Sequence, residues 1–185
     1  MENTVGIDSI TLCGKDLHAA EYPFNNILGF HTMCSATDLG SERSNRNTIV
    51  VQRHNVKIAL MQGHEKIGKS HRTEFIERFG PGIQHIALEV EDREAVCQEW
   101  EAHGVKFSGP MKEGRDGFGP LRQRFTYPLF PGSGIFLELT QRRHGHEESK
   151  PFVEGTVESL YQDTERDQTQ GVEQTIIDFD RVPKT

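Results

Sequence analysis

GIDSITL (residues 6–12) and GIQHIAL (residues 82–88) are the same heptad written twice, at an offset of 76. Each copy begins with Gly, places Ile at its second and fifth positions, and ends in Leu. Such a run reads as a strand whose apolar residues are buried on at least one face. A helical pattern follows each copy. DLHAAEYPFNNILGF (16–30) spaces Leu17, Ala20, Phe24 and Leu28 for one face, although Pro23 predicts a kink or a late start. DREAVCQEWEAHGV (92–105) has Asp92 as N-cap, Ala95, Val96 and Trp100 on one side, and Gly104 as a stop.

Three strand-like runs then follow in each half: 31–37, 47–53 and 56–62 in the first, and 106–112, 121–130 and 134–141 in the second. The repeat is therefore β-α-β-β-β, and internal repeats of this kind define a fold before any single motif does. One such unit cannot cover its own sheet. Two of them paired about a pseudo-two-fold axis predict an α+β fold in which a curved eight-stranded sheet forms a cup. The first module spans 5–62, a polar connector with a short helix spans 63–81, and the second module spans 82–142. A C-terminal lid helix within 143–167 and a polar tail over 168–185 complete the organisation. The tail is expected to be disordered or to add a strand to a partner subunit.

Composition sets limits. The 185 residues carry a net charge of −7, 34% hydrophobic and 26% charged residues. With no run of Lys or Arg longer than a pair, neither nucleic acid nor an anionic membrane is an expected partner. No segment approaches the length of a membrane helix, and MENTVGID does not read as a signal peptide, so a cytoplasmic protein is expected. Cys13, Cys34 and Cys97 are odd in number and lack CxxC spacing, which fits reduced thiols.

Equivalent positions of the two modules should converge in the cup. His85 lies in the second copy of the heptad, and Glu138 lies in the otherwise apolar IFLEL. A carboxylate there costs several kcal/mol unless it is paired or bound to a metal. His and Glu together suit Fe(II), Mn(II) or Zn(II). The bland alternative pairs Glu138 with Arg124 or Arg142. Aligning the last strands as IALM (58–61) against FLEL (136–139) places Leu60 opposite Glu138, and Ser9 falls opposite His85. Phe136 reads as core on the outer face. GRDGFGPLRQ (114–123) follows no clear strand and opens no helix, so it reads as a hairpin at the cup mouth rather than a phosphate cradle.

GPGIQHIALEVED (80–92), IGKSHRTEFIERF (67–79), LRQRFTYP (121–128) and GIFLELTQRRHG (134–145) together resemble the glyoxalase, or vicinal-oxygen-chelate, superfamily. Within it they are most similar to the C-terminal catalytic half of the 4-hydroxyphenylpyruvate dioxygenases. The resemblance implies a non-haem Fe(II) held by two His and one Glu, a small 2-oxo acid or aromatic substrate, dioxygen as co-substrate, and a homodimer. It carries one ligand over to His85, another to Glu138, and a substrate-facing Gln to Gln123. The first His of the family falls on Ser9, so the third ligand is missing. His144 and His146, beyond the strand of Glu138, are remote substitutes. The expectation is a divergent oxygenase. The alternative is a member poor in metal or free of it, which binds a small aromatic ligand or catalyses isomerisation or hydrolysis.

Overall fold

A computed structural model describes residues 4–36, 44–65, 71–116, 119–142 and 174–181. The lid helix expected within 143–167, together with His144 and His146, lies outside them.

The chain runs β1 (Thr4–Cys13), α1 (Leu17–Asn26), β2 (His31–Ala36), β3 (Ser44–Arg53) and β4 (Val56–Glu65) through the first module. A connector helix, α2 (His71–Phe79), follows. The second module is β5 (Gly82–Val90), α3 (Arg93–Ala102), β6 (Phe107–Asp116), β7 (Gly119–Thr126) and β8 (Phe136–Arg142). All eight strands join one mixed sheet in the order β2-β3-β4-β1-β5-β8-β7-β6. The predicted α+β cup is the observed architecture.

The two heptads meet at its centre. β1 and β5 are antiparallel, with Ser9 opposite Ala87 and Thr11 opposite His85. A two-fold axis between these pairs carries residue 9 onto 85 and residue 11 onto 87, the offset of 76 read from the sequence. On the flanks, β1 pairs in parallel with β4 and β5 with β8. These short parallel ladders are possible because a helix crosses over between the paired strands' regions of chain.

Each helix covers the outer face of its own module. Leu17 of α1 packs with Ile49, Val51, Ile58 and Leu60, with Phe24 and Phe30 alongside. Val96 and Cys97 of α3 pack with Val90 and Leu139, with Trp100 alongside. Both helices start on an Asp: Asp16 accepts from the Ala19 amide and Asp92 from the Ala95 amide, each at 3.0 Å. Pro23 sits inside α1 and does not end it. Gly104 closes α3 with φ +88°, a left-handed conformation that glycine adopts without cost.

α2 does something different. It contacts β1, β4 and β5, and its Phe75 and Ile76 bury against Cys13, with Met61 packed beside them. Cys13 pairs with Met61 across β1 and β4, two positions beyond Thr11, on the face that holds Thr11 and His85. The connector helix therefore lies against the inner face and closes one end of the cup. The strand registers also correct the alignment of the last strands. Thr11 pairs with Ala59, whereas its two-fold equivalent, Ala87, pairs with Glu138. Ala59, not Leu60, is thus the counterpart of Glu138, and Leu60 points into the helix-covered outer core.

Part of the tail folds back on its own chain. The Ile176 amide donates to the Pro128 carbonyl at 2.8 Å, and the Ile176 carbonyl accepts from the Lys106 amide at 2.7 Å. In this chain, then, the apolar patch of the tail is engaged by the second module rather than disordered. No helix among the described residues is long and apolar enough to cross a membrane.

Candidate functional site

The inner face of the second module collects polar side chains in adjacent strands. His85 of β5 is beside Phe136 of β8, and Glu138 of β8 is beside Phe125 of β7. Thr140 is beside Gln123, and across β7 Gln123 faces Lys112 and Phe125 faces Ser108. Cross-strand partners share a face, so these residues line one wall.

His85 and Glu138 are both buried, at 8% and 5% exposure. His85 Nε2 lies 3.3 Å from Glu138 Oε2. The other carboxylate oxygen, Oε1, accepts from the Gln123 side-chain amide and from the Thr140 hydroxyl. These two donors fix the carboxylate so that Oε2 is the oxygen turned toward the imidazole. Aromatic rings fix the imidazole in turn: Phe136 stacks on it with centroids 5.0 Å apart, and Phe125 approaches edge-on at 6.3 Å. Phe136 is therefore part of the site and not outer-face core. The period-two alternation of β8 puts it there, on the side of Glu138. His85 Nδ1 is buried and has no hydrogen-bond partner.

The structure brings His85, Glu138 and Gln123 together in one place. The bland pairings of Glu138 do not occur. Arg124 is on the opposite face of β7, where it binds Glu101 at 2.8 Å and lies over the Phe107 ring. Arg142 is taken by Asp8: Nε donates to Oδ1 at 2.7 Å and a terminal guanidinium nitrogen to Oδ2 at 2.8 Å. Lys57 donates to the same Oδ1 at 2.5 Å. Burial by itself would raise the Asp8 pKa, but the hydrogen bonds and charges of Arg142 and Lys57 outweigh it and hold the carboxyl below its ordinary value. This buried trio was not foreseen. Its signal was faint, since the β1–β5 register shifts between Ile7 and Ser9, and a bulge there turns Asp8 inward where simple alternation would not.

Metal-ligand atoms about 2.0–2.2 Å from a shared ion, at angles between square and tetrahedral, lie roughly 2.8–3.6 Å apart. The 3.3 Å separation of His85 Nε2 and Glu138 Oε2 fits that requirement. Ser9 holds the two-fold equivalent position of His85, and it offers a hydroxyl there. Among the described residues no three His, Cys, Asp or Glu side chains group as a metal cage.

Comparison with known proteins gives the family and the fold. The family model described as the Glyoxalase/Bleomycin resistance protein/Dioxygenase superfamily matches residues 8–121. The 4-hydroxyphenylpyruvate dioxygenase of Yarrowia lipolytica is 31% identical over 82% of this chain and 46% of its own length. That of Neurospora crassa is 27% identical over 80% of this chain and 44% of its own. The chain spans about half the length of these curated relatives. Among solved structures, a triple mutant of 4-hydroxymandelate synthase from Streptomyces coelicolor superposes with a TM-score of 0.73, at 19% identity, over 88% of this chain and 54% of that one. Methylmalonyl-CoA epimerase from Mycobacterium tuberculosis superposes with a TM-score of 0.56, at 22% identity, over 76% and 90%. At these identities the structural likeness speaks to the fold.

Proposed function

The chain belongs to the glyoxalase/bleomycin resistance protein/dioxygenase superfamily, and from that premise we propose that it is a divergent relative of the 4-hydroxyphenylpyruvate dioxygenases acting on a small 2-oxo acid. The observation that supports this most directly is the His85–Glu138 pair at 3.3 Å, with Gln123 bound to the same carboxylate. His85 and Glu138 would hold Fe(II). When bound, the metal would supply open positions where a 2-oxo acid and dioxygen can meet, the electrons for dioxygen coming from the organic substrate.

What the chain itself contributes is orientation and exclusion of water. Gln123 and Thr140 hold one carboxylate oxygen and leave the other turned to His85. Phe125 and Phe136 keep the imidazole plane from rotating and present an apolar surface to an aromatic substrate. Phe75 and Ile76 of α2 wall off the end of the cup. A homodimer in the cytoplasm is part of this proposal through the family.

Ser9 favours a second reading. With a hydroxyl where the family has an imidazole, the same cup suits a metal-poor member that binds an aromatic ligand or moves protons without oxidation. The discriminating experiment is anaerobic Fe(II) titration of the wild type and of His85→Ala, followed by dioxygen uptake with a panel of 2-oxo acids. Stoichiometric iron that His85→Ala abolishes, with uptake dependent on substrate, is the expected result. No iron bound and no dioxygen consumed would overturn the oxygenase and leave the second reading.

A further inference from the structure

Along the inner face of β8, Phe136, Glu138 and Thr140 follow one another at every second position. Glu138 therefore stands between unlike neighbours. Toward Phe136 lies His85, the cross-strand partner of that ring, with Nε2 at 3.3 Å from Glu138 Oε2. Toward Thr140 lies Gln123, the cross-strand partner of that threonine, and both of these side chains donate to Oε1. The two carboxylate oxygens are thus held in opposite senses along the strand. One faces an imidazole and the other faces two donors.

Thr140 is the member of this set that the sheet does not require. It is completely buried, at 0% exposure. Valine has the same shape, suits a strand equally well and buries no hydroxyl, so a purely structural wall gains nothing from the oxygen. Here the hydroxyl donates to Glu138. Hydrogen bonds to an ionised acceptor are roughly twice as strong as neutral ones, and two of them on one oxygen leave it little capacity for a cation. To bind an ion through both oxygens, Glu138 would have to turn Oε1 away from Thr140 and Gln123.

We infer that Thr140 is a positioning residue: it fixes Glu138 so that the centre offers a divalent cation a single carboxylate oxygen, Oε2, already turned toward His85. The inference rests on the proposed function for the presence of a metal and adds the residue that sets how the carboxylate binds it. Its effect is one of preorganisation. With Oε1 held, the ion meets an oriented ligand and does not have to order it on binding.

Anaerobic titration with Co(II), followed by its visible absorption, reads affinity and coordination together. Wild type, Thr140→Val, Thr140→Ala and Thr140→Ser are compared, with thermal melts confirming that each is folded. Wild type should take up stoichiometric Co(II). Thr140→Val and Thr140→Ala should bind it about tenfold more weakly, the loss expected when the partner of a ligand is removed. Their absorption bands should also shift, as Oε1 comes free to approach the metal. Thr140→Ser should keep wild-type affinity and spectrum. A threonine of purely structural role would lower the melting temperature of Thr140→Val and leave affinity and spectrum as they were, and that result overturns the inference alone. Equal losses in Thr140→Ser and Thr140→Val overturn it too, because the hydroxyl would then not be the cause. A wild type that takes up no Co(II) overturns both the inference and the metal centre of the proposed function, so the two failures are told apart.

Discussion

Asp8 on β1 and Arg142 at the end of β8 are 134 residues apart in sequence and joined by two hydrogen bonds, at 2.7 and 2.8 Å. With Lys57 on the same carboxylate, they tie both modules together across the floor of the cup. Asp8 is 3% exposed, so neutralising it removes the carboxylate that two cations share in a region of low polarity. Asp8→Asn should cost about 3–5 kcal/mol of stability, as removing one partner of a buried ion pair does. The pH dependence has a defined sign. A carboxyl whose folded pKa is lowered contributes stability that is full above its unfolded pKa and is lost as pH falls through the folded one. Denaturant melts should therefore show the gap between wild type and Asp8→Asn wide at pH 7 and closing only in strongly acid solution, below the ordinary carboxyl value of 3.8.

Gly134, in the β7–β8 loop, has φ +64°, and a Cβ there would come within 2.4 Å of the Phe79 ring at the end of α2. Phe79 packs on Phe75 with ring centroids 5.3 Å apart, and Phe75 belongs to the wall that closes the cup. Gly134→Ala combines a disfavoured backbone conformation with a clash against the Phe79 ring. We expect a loss of about 2–4 kcal/mol. Phe79→Leu in the same background should recover part of it, which thermal denaturation of the single and double mutants would measure.

The thiols should differ sharply in reactivity. Burial pushes Cys13 up to about 11, with Arg72 opposing only in part. At pH 8 that leaves about one thiol in a thousand as thiolate. Cys97 is also raised, first by burial, while Cys34 is half-buried. Iodoacetamide at pH 8 should alkylate Cys34 first in the native protein, with Cys13 and Cys97 labelled only on unfolding. Mass spectrometry of timed samples reports the order, and early labelling of Cys13 would mean that α2 opens readily from the inner face.

The repeat was legible because a two-fold sheet demands the same small-and-branched pattern at its central strands, and residues 6–12 and 82–88 supply it. His85 and Glu138 were legible because polar groups in apolar strands stand out, whereas Gln123, flanked by Arg122 and Arg124, was reached only through the family resemblance. The last strands were misaligned by one, since IALM is apolar throughout and period two has nothing to lock onto. Register there comes from Thr11 pairing with Ala59, a long-range fact. Asp8 escaped notice because a bulge inverts its face. The role of α2 was hidden as well: residues 63–81 read only as a polar connector with a short helix, and the inner face that Phe75 and Ile76 cover is set by long-range packing.

Ser9 remains the position on which the chemistry turns. It faces Ala87 across β1–β5, and Ala87 is the partner of Glu138, so a side chain at residue 9 is one strand away from the carboxylate. If the two-fold axis relates the site as it relates the strands, Ser9→His places an imidazole where the family has its remaining ligand. Fe(II) affinity measured anaerobically should then rise at least tenfold, about 1.4 kcal/mol, and the gain should vanish in Ser9→His combined with Glu138→Gln. One feature of this chain opposes the gain. By the register Ile10–Ile58 the neighbour of Ser9 on β4 is Lys57, whose ammonium repels a divalent cation even while Asp8 partly neutralises it. Ser9→His with Lys57→Met should therefore bind iron more tightly than Ser9→His alone. Equal affinity in the two would show that Asp8 already screens the lysine from the site, and unchanged affinity in all three variants would show that residue 9 does not face Glu138.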